Sequence, residues 1–345
     1  MLEPLLLLIS FLLAAVPSIA ACRVVMALRV LDGPTEPRKT QVVAVPTAGG
    51  VGFGLAAIFA VQWLSEWRPD FDVLAIEAGG VGALMIGFYD DRFHLAALVK
   101  LVLLVAVCAG LTAFGIRADA IEPWPGANLD LGVLGGAAGS LLWLLVLANA
   151  VNFMDGANGL SMGMAAIAAV GLCICSALAG EFGLALMAAA LSGALAGFLV
   201  WNIPGRLFAG DAGALFSGVT LGAISLALVS ARPDWVLIPA IAMLPWLTDV
   251  LLTLIWRARH RKPLFSAHRD HSYQIALKAG MKHWQVSLVH AVWALNAAIV
   301  AVVASMVGGY MPVIAFLALL GISIWIHQRV RREGERAGLV GADIA

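Results

Sequence analysis

The chain has 345 residues, of which 62% are hydrophobic and only 12% are charged, and its mean hydropathy is +0.95. These values lie outside the usual composition of soluble domains and exclude a soluble enzyme fold. The 21 basic residues balance the 21 acidic residues, so net charge gives no indication of a nucleic-acid partner, and none is expected.

Repeated apolar runs of about 20 residues, each long enough to cross a hydrocarbon core of about 30 Å, predict membrane-spanning helices. A membrane barrel is not indicated, because its strands would alternate in polarity. In chain order, the runs predict about eleven helices, at residues 5–25, 46–65, 73–89, 95–115, 132–150, 160–179, 182–201, 212–230, 235–256, 286–307 and 311–327. We therefore predict an all-α polytopic membrane protein, with a single transmembrane catalytic domain over residues 1–345 that ends in a short basic cytoplasmic tail at 328–345.

The basic residues fall on one side of this predicted topology. Seventeen Lys or Arg residues lie in the odd-numbered connections and the tail, against three in the even-numbered connections. By the positive-inside rule, this asymmetry places the N-terminus outside and the C-terminus in the cytoplasm. The longest polar stretch, residues 257–285, is too short for an independent domain. Function is therefore expected in the membrane domain and its cytoplasmic connections.

Three acidic residues at predicted cytoplasmic helix ends indicate a divalent-cation site. Asp90 and Asp91 end the third helix, and Asp211 opens the eighth between glycines. Mg²⁺ takes one or two carboxylates together with phosphate oxygens, and a helix N-terminus favours an anion, so this combination suits a pyrophosphate. The alternatives are a solvated helix end in which Arg92 pairs with the acids, and an ordinary N-cap at Asp211.

A second polar group follows the fifth predicted helix. Asn149, Asn152 and Asp155 recur every three residues, so on a helix they would share one side and form a hydrogen-bonding wall. Gly156 and Gly159 then predict a loop. The alternative is polar contact between helices of the bundle.

Charged and histidine residues elsewhere leave several interpretations open. The topology rule by itself explains the arginines of the long basic connection. His268 and His271 there could bind phosphate, ligate a metal or be structural, and zinc is the least expected of these because no Cys stands nearby. Within predicted helices, Lys100 is near enough to the cytoplasmic end to snorkel. Asp249 is deeper and needs a donor from a neighbouring helix.

The motifs resemble, in the same order, those of the polyprenyl-phosphate N-acetylhexosamine-1-phosphate transferases, or glycosyltransferase family 4. The matching segments lie at residues 32–50, 90–101, 149–160, 208–213 and 267–274. The last, AHRDHSYQ, is similar to the histidine loop of the branch that includes WbpL and differs from the consecutive histidines of MraY. Five motifs in order on one predicted side make the resemblance specific.

The resemblance implies Mg²⁺-dependent transfer of an N-acetylhexosamine 1-phosphate from a UDP sugar to undecaprenyl phosphate, with release of UMP. The site would lie on the cytoplasmic face of the bacterial inner membrane and would start an O-antigen or a related surface glycan. Asp211 and Asp91 would form the metal site, and Asp90 would be a base or would position the lipid phosphate. The substrate-binding residues would be Lys39, Asn152, Asp155, Gly156, Phe208, His268, Arg269 and His271, with Phe208 stacked on uracil.

Two other functions are alternatives to this one. An ion-coupled secondary transporter would place its charges near the midplane of two repeated halves, and the sequence shows neither feature. An inactive scaffold of the same fold differs from an enzyme only by assay. The form of the histidine loop predicts a UDP-N-acetylhexosamine, or a 6-deoxy relative of it, and argues against UDP-MurNAc-pentapeptide. The sequence leaves the exact sugar and the formation of a homodimer open.

Overall fold

A computed structural model describes residues 2–28, 31–32, 45–65, 70–263 and 268–340. These residues form a helical bundle with two short hairpins. The helices are α1 (Leu2–Leu28), α2 (Gly49–Leu64), α3 (Phe71–Phe93), α4 (Ala97–Ala113), α5 (Gly132–Phe153), α6 (Leu160–Ala179), α7 (Phe182–Asn202), α8 (Gly210–Ala231), α9 (Leu237–Arg259), α10 (Ser272–Lys278), α11 (His283–Val307) and α12 (Met311–Arg336). The strands are β1 (Leu31–Asp32), β2 (Val45–Pro46), β3 (Ala120–Ile121) and β4 (Leu129–Asp130).

The predicted fold class is confirmed. In the described part of the chain, nine helices are long and apolar enough to cross a membrane, and α2 and α4 are shorter apolar helices. Each of the eleven predicted helices has a counterpart in the structure, although α12 continues to Arg336 instead of ending at 327. The first part of the expected basic tail is therefore helical. The number of helices that cross the membrane and the sides of the two termini stay predictions.

Three small elements were not predicted from the sequence. The pair β1–β2 and the pair β3–β4 are antiparallel and only two residues long in each strand, and α10 has seven residues. Such lengths are too short to give a periodic hydropathy signal. The β3–β4 hairpin is joined to the turn before α9 by a 2.9 Å hydrogen bond from the Glu122 N–H to the Pro233 carbonyl.

Helix α8 is the centre of the bundle. All residues from Ala212 to Val229 are buried, and α3, α5 and α2 pack against the helix. Gly87 of α3 lies directly against the backbone of Asp211 and Ala212, so that a Cβ atom at this position would collide with that backbone. Small residues allow helices to approach closely in a membrane protein. This approach brings the C-terminal end of α3 to the first turn of α8.

The alternating direction of the helices collects their polar ends at one end of the bundle, which we call the site end. Here the segment before α2 runs beside the start of α8, with a 2.9 Å hydrogen bond from the Gly49 N–H to the Phe208 carbonyl. The start of α6 meets the end of α7, where the Gly159 N–H donates to Asn202 Oδ1 at 2.7 Å. The motifs near residues 90, 152, 211 and 271 therefore lie at the same end of the bundle, and the hairpin β3–β4 lies at the other.

Candidate active site

The carboxylate of Asp211 is held by side chains from two other helices. Asn152, in the last turn of α5, donates from Nδ2 to Asp211 Oδ1 at 2.8 Å. The Lys100 ammonium, from the first turn of α4, pairs with Asp211 Oδ2. About 29% of the Asp211 side chain remains exposed. The acid is therefore fixed in orientation but still reachable from the site end.

Lys100 also pairs with Asp90, so one ammonium group bridges two carboxylates. Its Nζ lies 2.7 Å from Asp90 Oδ2, while Asp90 Oδ1 accepts a 2.7 Å hydrogen bond from the Leu95 N–H. The Arg92 guanidinium lies instead 5.7 Å from the centre of the Phe93 ring. The alternative in which Arg92 balances the acid pair is therefore wrong, because Lys100 supplies the positive charge to Asp90.

Asp91 caps α8 from outside that helix. Its Oδ1 accepts from the Asp211 N–H at 2.9 Å, and its Oδ2 accepts from the Ala212 N–H at 3.2 Å. Gly210 precedes these groups with φ of +70°, and an added Cβ atom there would collide with the Asp91 carboxylate. The alternative of Asp211 as an ordinary N-cap is wrong, because the free N–H groups of α8 are satisfied by Asp91.

The polar residues at the end of α5 do not form a single wall. Asn149 donates within its own helix, to the Leu145 carbonyl at 2.7 Å, and only Asn152 reaches Asp211. The helix ends at Phe153, so Asp155 lies in the following turn. Partial burial, together with the nearby Asp211 charge, raises the pKa of Asp155 to about 7.

The segment 268–274 is held against the end of α5. The Tyr273 hydroxyl donates to the Phe153 carbonyl at 3.1 Å, one residue after Asn152. The His271 ring is only 2% exposed and stacks on the His268 ring at 5.1 Å. His271 thus lies inside the loop, with Nδ1 3.5 Å from Asp249 Oδ1. Burial raises the pKa of the Tyr273 hydroxyl above its usual value, which keeps it a donor.

A cleft of about 290 Å³ opens beside this segment. Its lining combines two basic side chains, polar groups and a glycine backbone, contributed by Gly156, Arg269, Tyr273, Gln274, Leu277, Lys278, Met281 and His283. Arg269 and Gly156, both predicted to bind substrate, are thus brought together here. Phe208 lies across the site end with a partly exposed ring, and its backbone N–H donates to the Pro46 carbonyl at 2.9 Å. Lys39 lies outside the described residues.

The sequence does not predict the roles of two residues of the site. Lys100 is near enough to the cytoplasmic helix end to snorkel and lies within the matching segment 90–101, and Tyr273 lies within the matching segment 267–274. The signal for Lys100 is that it is a single positive charge in an apolar run. It lies one turn after the start of the helix that follows Asp90 and Asp91 in the chain. In the structure the Lys100 ammonium points toward Asp90 and Asp211 and pairs with both carboxylates.

The donor set fits a Mg²⁺ ion that is shared with substrate. Among the described residues, no group of three or more His, Cys, Asp or Glu side chains could hold a metal ion by itself. Mg²⁺ usually binds to one or two protein carboxylates and completes its shell with water and phosphate oxygens. Asp211 supplies such oxygens, because its carboxylate is partly exposed and pairs with the side chains of Asn152 and Lys100. Asp90 lies across the same Lys100 ammonium, whereas both oxygens of Asp91 accept hydrogen bonds from the backbone of α8.

Comparison with known proteins identifies relatives of the chain. The profile of glycosyl transferase family 4 matches residues 73–229. A probable undecaprenyl-phosphate N-acetylglucosaminyl 1-phosphate transferase of Bacillus subtilis is 24% identical over 271 residues, covering 77% of this chain and 75% of the relative. A decaprenyl-phosphate N-acetylglucosaminephosphotransferase of Mycobacterium tuberculosis is 29% identical over 289 residues, which cover 74% of this chain and 71% of the relative. A phospho-N-acetylmuramoyl-pentapeptide-transferase of Desulforudis audaxviator is 30% identical over 302 residues, which cover 76% of this chain and 87% of the relative.

Proposed function

The chain belongs to glycosyl transferase family 4 and is a multi-pass membrane glycosyltransferase, and from this premise we propose its reaction. It transfers an N-acetylhexosamine 1-phosphate from a UDP sugar to undecaprenyl phosphate and releases UMP. The names of the relatives support this reaction. Two relatives are named as transferases of an N-acetylglucosamine phosphate to a polyprenyl phosphate, and the third is named as a transferase of a phospho-N-acetylmuramoyl pentapeptide. The observation that carries the proposal is the bridged pair Asp90–Lys100–Asp211 at the site end, next to a basic cleft.

Phosphoryl transfer of this kind depends on position and charge more than on covalent chemistry. Bound Mg²⁺ would neutralise the pyrophosphate of the UDP sugar and its developing negative charge. Asp211 is the proposed metal ligand, because its carboxylate is partly exposed and fixed by Asn152. Asp91 supports the metal site by holding the first turn of α8. Lys100 adds a second positive charge beside the acids.

Asp90 is proposed to position the reactants. Both of its oxygens already accept hydrogen bonds, from the Leu95 N–H and from Lys100, so its orientation is set before any substrate binds. This arrangement favours the positioning role that the resemblance left open beside general base. Through Lys100, Asp90 keeps a cation at the place where the lipid phosphate would approach Asp211.

The UDP sugar is proposed to enter the cleft beside the histidine loop. Arg269 and Lys278 offer positive charge there, and Gly156 lines the cleft at the turn after α5, where its missing side chain makes room for the Tyr273 hydroxyl. Asn152, Asp155 and Phe208 are the further proposed nucleotide contacts, with Phe208 stacked on uracil, and His268 supports the phosphates. His271 would act from within the loop, in view of its burial. The site is proposed to face the cytoplasm at the bacterial inner membrane.

The sugar is proposed to be an N-acetylhexosamine or its 6-deoxy relative, in the initiation of an O-antigen or related glycan. The relatives include enzymes named for N-acetylglucosamine and an enzyme named for the muramoyl pentapeptide, so they leave both substrates to be tested. The His-x-x-His form of the loop is the feature that favours the smaller sugar.

The test is the release of UMP by the purified protein with undecaprenyl phosphate and a panel of UDP sugars. We expect turnover with at least one UDP-N-acetylhexosamine, loss of turnover with EDTA, and recovery with Mg²⁺. Turnover of UDP-MurNAc-pentapeptide alone would overturn the sugar assignment but keep the reaction class. UMP release from no sugar nucleotide, by protein that is monodisperse and thermally stable, would overturn the reaction.

A further inference from the structure

A buried polar network joins the histidine loop to α9. Asp249 lies about 15 Å before the end of α9, at 1.5 Å per residue, and is only 4% exposed. Its Oδ2 accepts from the Ser272 hydroxyl at 2.6 Å, and its Oδ1 accepts from the Ser272 N–H at 3.0 Å. The carboxylate therefore grips the first residue of α10, and His271, next to it, has Nδ1 3.5 Å from the same carboxylate.

The end of α12 binds the residue before His271. Arg331 is 5% exposed, and its Nη2 donates to the Asp270 carbonyl at 2.7 Å and to the Thr253 hydroxyl at 2.9 Å. His327, one turn earlier, lies 3.3 Å from the same hydroxyl through Nε2. Thr253 Oγ1 is also 3.3 Å from Asp249 Oδ1, which closes the network. The residues before and after His271 are thus fixed by two different helices.

Packing reinforces these polar contacts. Gly334 of α12 lies against Ile275 of α10, and an added Cβ atom would be 2.6 Å from Ile275 Cγ2. Lys278 Nζ donates to the Leu339 carbonyl and to the Arg269 carbonyl, both at 2.9 Å. Residues 331–339 therefore pack against the loop. In the sequence, the positive-inside rule alone would explain the basic residues among them.

Burying charged groups is costly unless they are paired, so a network of this kind needs a role that repays the cost. We infer that Asp249 and Arg331 are positioning residues of the active site, and that the C-terminal end of α12 sets the histidine loop against the end of α5. The loop contacts the site through Tyr273, whose hydroxyl donates to the Phe153 carbonyl. Phe153 follows Asn152, which donates to Asp211. The loop also carries Arg269 into the cleft. The inference rests on the proposed function for its kinetic readout.

The packing contact offers a matched pair of variants. Gly334→Val places a branched side chain against Ile275, whereas Gly321→Val makes the same change in the same helix at an exposed position with nothing within 4 Å of an added Cβ. Both variants change helix propensity equally. We expect the KM for the UDP sugar to rise about tenfold in Gly334→Val, since small displacements at a site cost up to about 10²-fold, and to change less than about twofold in Gly321→Val.

The polar contact is tested by Arg331→Met, with the exposed neighbour Arg332→Met as its control. We expect the same rise in KM, a smaller fall in kcat, a lower unfolding temperature from the loss of two buried hydrogen bonds, and partial rescue by Arg331→Lys. If Arg331→Met does not fold, Gly334→Val carries the kinetic test. Equal KM values for both members of both pairs, with active wild-type protein, would overturn the inference.

Hydrogen exchange gives a readout that needs no activity. Peptides covering 268–278 should exchange faster in Gly334→Val and Arg331→Met than in wild type, while peptides from α7 should not change. If wild-type protein releases no UMP, the proposed function fails, and this exchange measurement still decides whether α12 holds the loop. Unchanged exchange at 268–278 in both variants would show that it does not.

Discussion

The carboxylate of Asp91 accepts a 2.9 Å hydrogen bond from the backbone N–H of Asp211. The proposed metal ligand therefore starts its helix on a cap supplied by another helix, and its own side chain is left for other partners. Adjacent acids in the sequence thus have different tasks, because Asp90 pairs with Lys100 and Asp91 pairs with backbone. This division of tasks can be tested by substitution.

Asp211→Asn should reduce turnover most strongly. The change keeps the size of the side chain and removes the charge proposed to hold Mg²⁺, and a loss of about 3–5 kcal/mol in the transition state would slow the reaction roughly 10²–10⁴-fold. The measurement is Mg²⁺-dependent UMP release at matched folded yield. Asp72→Asn, at an exposed site in the first turn of α3, is the control. Retention of most activity by Asp211→Asn would exclude a metal role for this residue.

Asp91→Asn and Asp91→Ala should differ from each other. Asn keeps one of the two acceptors, since its amide oxygen accepts while its amide nitrogen donates, whereas Ala leaves both N–H groups of α8 without their partner and costs about 1 kcal/mol of stability, as other lost caps do. We therefore expect Asp91→Asn to keep far more activity than Asp211→Asn, and Asp91→Ala to lower both the unfolding temperature and kcat. If Asp91→Asn is as inactive as Asp211→Asn while its unfolding temperature is that of wild type, Asp91 is a metal ligand and not only a cap.

Lys100→Met should lower turnover and strengthen the response to Mg²⁺. Without the ammonium, Asp90 and Asp211 are two carboxylates that share no positive charge, and like charges at short range favour a bound cation. We expect half-maximal activation at a lower Mg²⁺ concentration, with kcat reduced at least tenfold because a charge beside the phosphates is lost. Lys282→Met, an exposed lysine before α11, serves as the control. Wild-type kcat and Mg²⁺ dependence in Lys100→Met would contradict the bridging role.

The orientation of the protein can be tested by cysteine labelling in intact cells. The four native cysteines are buried and should not react. Ala279→Cys is exposed at the site end, and Asn128→Cys is exposed in the hairpin at the opposite end. We expect an impermeant maleimide to label the Asn128 variant and to label the Ala279 variant only after permeabilisation. The reverse labelling pattern would show that the site end faces the outside of the cell.

The arrangement of helices could be predicted well because each apolar run is long compared with the membrane. The gathering of Asp90, Asn152 and Asp211 at one end also followed from alternating helix direction and from motif order. The roles within the cluster could not be predicted, because they depend on which helix supplies each partner. A capping acid from α3 and an α8 N–H are about 120 residues apart, and nothing local in either segment marks the pair.

The burial of individual polar residues could not be predicted either. Ser161, at the start of the predicted helix 160–179, is fully buried and donates to the Val151 carbonyl at 2.8 Å. Asp249 was correctly expected to need donors, but the donors come from α10, an element too short for its periodicity to be visible. The basic tail was interpreted through its charge alone, which hid the burial of Arg331.

Helix α8 has no lipid-facing surface along residues 212–229, yet it is apolar enough to enter the bilayer as a separate segment. If α8 enters the bilayer as a separate segment, it exchanges the surrounding lipid for α2, α3 and α5 when the bundle assembles. Asp211 receives its cap and its lysine only when this exchange is complete. Chains trapped before that step would be inserted but would have no assembled site, so membrane insertion and assembly of the site would be separate stages.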